Sequence, residues 1–276
     1  MSTLISLHRW EHPFWIHYAC CAAWGACYAG RLDLQVLLAV AANFVAIVAG
    51  NPLNAYADVR NDRATTGKRH IADAVAAVGR DRVLALAFAE LAAAVVIGTL
   101  VSARVAAGIV VIAVLYLAYN LEPVRLKRRG YAGPVALSLA AGFVPSVVAY
   151  ASAGVGFDGE VWLVFAGVGL LAVGRALWWA VPDHDGDAEV GSRTPAVRYG
   201  TGHALAAATG ATAAGLALLG AGLWTRHGPA WAVLGVGACA TFLLARGLPD
   251  SRLMLRYGMT AVVGSYVVIG AIPLLD

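Results

Sequence analysis

The chain has 276 residues, 60% of them apolar and 13% charged, with a formal net charge of +4. Soluble domains carry about 25% charged residues, so the composition excludes that class and indicates an integral membrane protein. The length suits one bundle over residues 1–276 rather than a string of domains, and no nucleic-acid partner is expected.

Apolar windows near the length that crosses about 30 Å of hydrocarbon fall at 14–30, 34–57, 82–102, 105–121, 132–153, 160–181, 202–224, 229–246 and 254–274. Lipid offers peptide groups no water, so spanning segments are helices or closed barrels. Apolar runs without strand alternation choose helices. The expected fold is all-α: a polytopic bundle of about nine transmembrane helices around an apolar cavity. With the N-terminus in the cytoplasm, 16 of the 20 Lys and Arg fall on the cytoplasmic side. Arg31, Arg104 and Arg226 fall on the other, and Arg175 lies within a span. This asymmetry satisfies the positive-inside rule at every loop. It predicts a multi-pass protein of the cell membrane with its charged loops cytoplasmic, and it argues against reading the first apolar stretch as a cleaved signal peptide.

In chain order, Trp10 and Trp15 flank the first span. With Trp178, Trp179, Trp224 and Trp231 they lie near span ends, as interfacial aromatics do. Cys20, Cys21, Cys27 and Cys239 lack zinc-ligand spacing and read as small hydrophobes. The second span carries Asn51-Pro52, read as a kink rather than an end. Asn54, Asp58 and Asp62 follow at i, i+4 and i+8. Each four-residue step on a helix rotates about 400° and climbs about 6 Å, so the three form a drifting column, with Asn51 about a turn below. Lys68 and Arg69 follow, divided between anion binding and topology. Glu90 is buried in the third span, and the turn at Ser102–Arg104 is very tight.

After the fourth span comes Tyr116-Leu-Ala-Tyr119-Asn120-Leu-Glu-Pro123-Val-Arg125-Leu-Lys127-Arg128-Arg129, the densest cationic stretch. Arg offers paired planar donors to phosphate and Lys a point charge; a topology signal or a contact with anionic headgroups is the bland alternative. Arg175, inside the sixth span, needs a partner or an anionic ligand. Asp183, a substrate phosphate and Glu90 are its options. Asp183 and Asp187 end that span and Arg193 follows, echoing the first motif four spans earlier and therefore on the same face. Asp185 lies about 200° round from Asp183 and should point away; His184 reads as a solvated neighbour.

Either acidic motif alone also reads as a helix cap. Two of matched spacing on one face suit Mg²⁺, an ion usually held by one or two carboxylates plus substrate phosphates. Paired ions can clamp a diphosphate and stabilise its departure. A divalent-cation transporter is the rival, but it needs polar residues through the bilayer, and here the outer halves of the spans are almost wholly apolar.

Together these residues resemble the UbiA superfamily of intramembrane prenyltransferases. The first family motif is matched by Asn54, Asp58 and Asp62, with Asn51 similar to the menaquinone-type branch. The second is matched by Asp183, Asp187, Gly191, Arg193 and Thr194, and the basic loop by Tyr119, Pro123, Arg125, Leu126 and Lys127. Ala55 stands where the family usually has Asp, and His70-Ile-Ala-Asp73 departs from the usual Arg-Pro-Leu run. The resemblance implies that Asp58, Asp62, Asp183 and Asp187 hold Mg²⁺ on an isoprenyl diphosphate. Arg125, Lys127, Lys68 and Arg193 would neutralise phosphate, Asn54 would orient a substrate or a metal-bound water, and Tyr56, Tyr116 and Tyr119 are candidate faces for an allylic cation. The acceptor is an aromatic, a quinone precursor or another lipid. Superfamily siblings instead cyclise the chain without an acceptor, or transfer phosphoribose to a polyprenyl phosphate.

Overall fold

The computed structural model describes residues 3–10, 14–64, 66–189, 191–247 and 251–276. Its helices are α1 (Thr3–His8), α2 (Phe14–Tyr28), α3 (Leu34–Ala64), α4 (Arg69–Val78), α5 (Arg80–Val101), α6 (Ala103–Asn120), α7 (Ala132–Ser138), α8 (Val144–Ser152), α9 (Gly159–Trp179), α10 (His184–Glu189), α11 (Pro195–Tyr199), α12 (Thr201–His227), α13 (Pro229–Ala240) and α14 (Ser251–Leu275). A π-helical turn, Leu139–Phe143, joins α7 to α8. Among the described residues there is no strand, as the composition predicts.

Among the described residues, seven helical segments are long and apolar enough to cross a bilayer: Leu34–Arg63, Arg80–Val101, Ala103–Asn120, Ala132–Ser152, Gly159–Trp179, Thr201–His227 and Arg256–Leu275. The first and eighth of the nine predicted windows fall short. In the first, α2 stops after 15 residues at a turn through Gly30, whose φ is +68°. In the eighth, α13 runs for 12 residues and then tightens into a 3₁₀ stretch, Thr241–Gly247. Hydropathy counts apolar residues but does not see where the backbone stops being α-helical.

Local chemistry sets several boundaries. Ser102 caps α6 by accepting from Val105 N–H at 3.2 Å, which makes the tight turn after α5. Asp158 caps α9 by accepting from Val161 N–H at 2.8 Å. Pro52 does not end α3, which continues three turns further; the first acidic motif therefore sits on unbroken helix.

Small residues bring the helices together. A Cβ on Gly167 of α9 would lie 2.6 Å from Leu219 N and 2.8 Å from Gly215 O of α12. One on Gly222 would lie 2.8 Å from Glu160 O. The two backbones thus touch along much of their length. One buried cluster centres on Trp24, Tyr28, Tyr150, Phe165 and Tyr266. A second, rich in alanine, joins α3, α5 and α6 through Ala39, Ala42, Ala46, Ala87, Ala94, Ile109 and Ile112. Two expected interfacial tryptophans turn inward. Trp178 is buried with its ring 6.1 Å from Phe242, and Trp179 lines the central cavity. Both sit on the inner face of α9, which outweighs their nearness to a helix end.

The N-terminal segment is strapped onto the bundle. Leu7 is fully buried among Ile71, Val75 and Val83, and His8 Nε2 lies 2.7 Å from Glu90 Oε1. Glu90 thus has His8 as its partner, not the Arg175 that the sequence allowed. Burial pushes the His8 pKa down, but the Glu90 hydrogen bond, the Leu4 carbonyl and the Glu90 charge together carry it above the ordinary value.

Two outcomes follow. Gly167→Val should destabilise the bundle by about 1–3 kcal/mol through overpacking, read as a lower thermal unfolding midpoint in detergent; an unchanged midpoint would contradict the close approach. Because the folded His8 pKa is raised, the His8 contribution is complete below about pH 6.5 and fades as pH rises through the folded value. The stability difference between the native chain and His8→Gln should therefore shrink with rising pH; a gap independent of pH would rule the linkage out.

Candidate functional site

Three stretches far apart in sequence meet at one end of the bundle. On α3, Asn51, Asn54, Asp58 and Asp62 face one cavity. Beyond α9 the chain turns at 180–183 and starts α10 at His184, so Asp183 immediately precedes this short helix and Asp187 lies one turn on, within it. Asp187 N–H donates to Asp183 O at 2.8 Å, and Ser192 N–H donates to Asp187 O at 2.8 Å. These bonds hold the second acidic loop folded back. Lys68 Nζ lies 3.5 Å from Asp183 Oδ2, tying the segment after the first motif to the second. The two acidic motifs therefore share one mouth.

The basic loop supplies the third side. Arg125 takes a left-handed φ of +37°, and a 3₁₀ turn over Leu126–Arg128 follows. That geometry separates the two leading cations. Lys127 points into the mouth, with Nζ 2.7 Å from Asp58 Oδ1 and 3.1 Å from Asn120 Oδ1. Arg125 supports the same carboxylate from outside the cavity: Nη2 donates to Ala57 O at 3.0 Å and reaches Asp58 Oδ1 at 3.4 Å, while Nη1 reaches Glu122 at 3.1 Å. The Asn54 amide is satisfied when its nitrogen donates to Asp58 Oδ2 (3.1 Å) and Asn120 Oδ1 (3.0 Å) and its oxygen accepts from Arg9 Nη2 (3.1 Å). Gly130 N–H donates to Arg193 O at 2.9 Å, joining the basic loop to the second acidic loop.

Burial lowers the Lys127 pKa against the pull of Asp58. Burial, and then the charge of Asp183, raise that of Asp187. Among the described residues no three His, Cys, Asp or Glu side chains converge on one point. One carboxylate of each motif instead stands with a lysine, Lys127 at Asp58 and Lys68 at Asp183. Asp62 Oδ2, Arg9 Nε, Ser138 Oγ and Trp179 Nε1 are buried polar atoms of the cavity wall without a hydrogen-bond partner.

The cavity holds about 400 Å³ and runs from this mouth into the bundle. Of the residues singled out in the sequence, Asn51, Asn54, Asp58, Asp62, Lys68, Tyr116, Tyr119, Lys127, Arg175, Asp183, Asp187 and Thr194 line it. Arg69, Arg125 and Arg193 do not; Arg69 and Arg193 are exposed. Tyr56 lies beneath the Arg80 guanidinium, 4.4 Å from the ring centre, and is not part of the wall. Tyr116 reaches the wall because Gly50 has no side chain; a Cβ there would strike its ring. Ala55 is fully buried in the apolar cluster of Leu7, Ile71 and Val83, away from the cavity, so an alanine there takes no ligand from the wall. Asp185 points outward, paired with His184 at 2.8 Å.

Arg175 is buried on α9, and its Nη2 donates to Tyr266 Oη at 3.1 Å. Its partner is thus a phenol on the last helix rather than Asp183 or Glu90. Sequence reasoning missed Arg9, His17, Tyr18, Cys21 and Tyr266, which also line the cavity. His17 and Cys21 are one helical turn apart, with Cys21 Sγ 3.5 Å from His17 Nε2. That i, i+4 spacing was a readable signal; Tyr266, on α14, had none.

A model of the UbiA prenyltransferase family matches residues 18–251. No curated protein matches the sequence at a significant level. Among solved structures, a UbiA homologue from Archaeoglobus fulgidus bound to GPP and Mg²⁺ superposes with a TM-score of 0.77 at 13% identity, covering 97% of this chain and 99% of that one. The apo structure of a UbiA homologue from Aeropyrum pernix K1 superposes at 0.75 and 23% identity, covering 96% and 98%. A digeranylgeranylglyceryl phosphate synthase structure superposes at 0.62 and 17% identity, covering 98% of both chains. At these identities the likeness is one of fold.

Proposed function

Since the chain belongs to the UbiA prenyltransferase family, we propose that it transfers an isoprenyl group from an isoprenyl diphosphate to an aromatic, quinone-precursor or lipid acceptor, with the acidic mouth on the cytoplasmic side of the cell membrane. The observation that carries this reading is the pair of acidic motifs, joined across one mouth by Lys68 and Asp183 and opening onto a cavity with aromatic walls. The donor is a molecule of the same two-part character, charged at one end and apolar along its length.

The donor set fits magnesium. Asp58, Asp62, Asp183 and Asp187 are oxygen ligands, and Asp62 carries a buried oxygen without a partner on the cavity wall. An ion completed by phosphate oxygens and water needs no nest of three protein ligands. The Archaeoglobus homologue's structures with GPP and Mg²⁺ and with DMAPP and Mg²⁺ support the same reading here. When bound, the ion neutralises the diphosphate and favours its departure as an anion.

This chain's own groups do the rest. Lys127 and Lys68 stand beside Asp58 and Asp183, where donor phosphates enter, and add positive charge as the leaving group becomes more negative. Arg125 holds Asp58 from behind, so the carboxylate keeps its direction when Lys127 turns to phosphate. Asn54 bridges Asp58 and Asn120 and fixes the first motif against the basic loop. Tyr18, Tyr116, Tyr119 and Tyr266 line the cavity, and aromatic rings there would stabilise an allylic cation.

Asp58→Asn and Asp183→Asn should each lower magnesium-dependent diphosphate release from geranyl diphosphate by on the order of 100-fold or more, with the bundle still folded. Chelating magnesium should do the same to the native chain. Turnover unchanged in both variants would overturn the assignment. Mass spectrometry of products with and without aromatic acceptors separates transfer from cyclisation; a hydrocarbon or terpene alcohol formed efficiently without an acceptor would replace the transferase reading with a cyclase.

A further inference from the structure

The sequence offers Arg9 only as a positive charge near the N-terminus. The structure puts it in the wall of the cavity, beside the first acidic motif. α1 ends just before it, with Arg9 N–H turned to Ser6 O at 3.4 Å and Trp10 N–H to Ile5 O at 3.0 Å. Arg9 itself takes a φ of +51°, a conformation that a side chain with a Cβ rarely adopts. Strain of this kind persists only where neighbouring contacts impose it, and here they are visible. Leu7 is locked into an apolar cluster, His8 Nε2 is held by Glu90 at 2.7 Å, and the His8 carbonyl accepts from Asn51 Nδ2 at 3.1 Å. With the residue before it pinned on both side chain and backbone, Arg9 is directed into the mouth.

The guanidinium there is incompletely used. Nη2 reaches the Asn54 amide oxygen at 3.1 Å, while Nε is buried without a hydrogen-bond partner. Asp62, whose Oδ2 is likewise buried without a hydrogen-bond partner, lines the same cavity. A planar fork with a spare buried donor, set beside carboxylates that take a metal, matches a phosphate group better than it matches water. The residue that receives one Nη2 bond, Asn54, is also bonded to Asp58, so Arg9 and the first motif form one continuous polar surface.

We propose that Arg9, delivered by the N-terminal strap, binds the diphosphate of the donor and supplies a cation in addition to Lys68 and Lys127. The assignment rests on the prenyl-transfer reading of the site and extends it to a segment outside both acidic motifs and the basic loop. The strap is then part of the donor site, and Glu90 and Asn51 act as positioning residues through His8.

The test uses the full chain in lipid nanodiscs, with geranyl S-thiolodiphosphate, a donor analogue that resists ionisation, as the binding probe in the presence of magnesium. Arg9→Gln should weaken its binding by on the order of tenfold and raise the KM for geranyl diphosphate similarly. The kcat should fall less than the KM rises. Arg9→Lys should recover part of the loss, since it restores charge without the fork. If Arg9→Gln does not fold, Arg9→Lys decides alone, with binding weaker than native as the expected result. Native-like binding and KM in a folded Arg9 variant would overturn the role of Arg9 while leaving the reaction intact. A native chain that releases no diphosphate from geranyl diphosphate and magnesium would overturn the reaction itself, and this role with it.

Discussion

The structure depends on how acidic side chains from two distant motifs are gathered at the edge of an apolar bundle. Like charges gathered near low-dielectric walls raise each other's energy and favour neutral forms. The chain answers with cations brought from elsewhere: Lys127 and Arg125 at Asp58, and Lys68 at Asp183. None of these lies on the helix of the carboxylate it serves. The bonds that balance charge are therefore also the bonds that join α3 to the basic loop and to the second acidic loop. Electrostatics and tertiary structure are one constraint at this end of the molecule.

The rest of the bundle makes that mouth possible. Without a hydrophobic driving force between helices in lipid, close packing of small residues takes over. Gly167, Gly215 and Gly222 let α9 and α12 meet backbone to backbone, which leaves the bulkier residues of α9 free to face inward. Arg175, Trp178 and Trp179 all do so. The cavity is thus a by-product of unequal packing: tight where glycine lines a seam, open where tyrosine and tryptophan keep helices apart.

Legibility differed by kind of residue. The column Asn54, Asp58 and Asp62 was readable because helical periodicity needs no tertiary information, and α3 indeed runs unbroken through Pro52. The shared face of the two acidic motifs was readable from span parity. The fate of the basic residues was not. Arg125 and Lys127 differ by two positions in one loop, yet one lines the cavity and the other braces Asp58 from behind, because a left-handed residue and a 3₁₀ turn set their directions. Tyr56 and Trp179 swapped expected roles for a similar reason: which face of a helix is inward depends on the neighbour, not on its own pattern.

Composition, apolar run length and the spacing of acids within each motif determined the membrane bundle and the chemistry of its mouth, since these follow from local rules of burial and helical rotation. Tertiary structure alone decided that Arg9 enters the site, that Glu90 binds His8, that Arg175 turns to Tyr266, and that Ala55 faces away from the cavity. Each of those outcomes couples residues far apart along the chain. Such a pairing is set by how whole helices dock, and no window of sequence contains that.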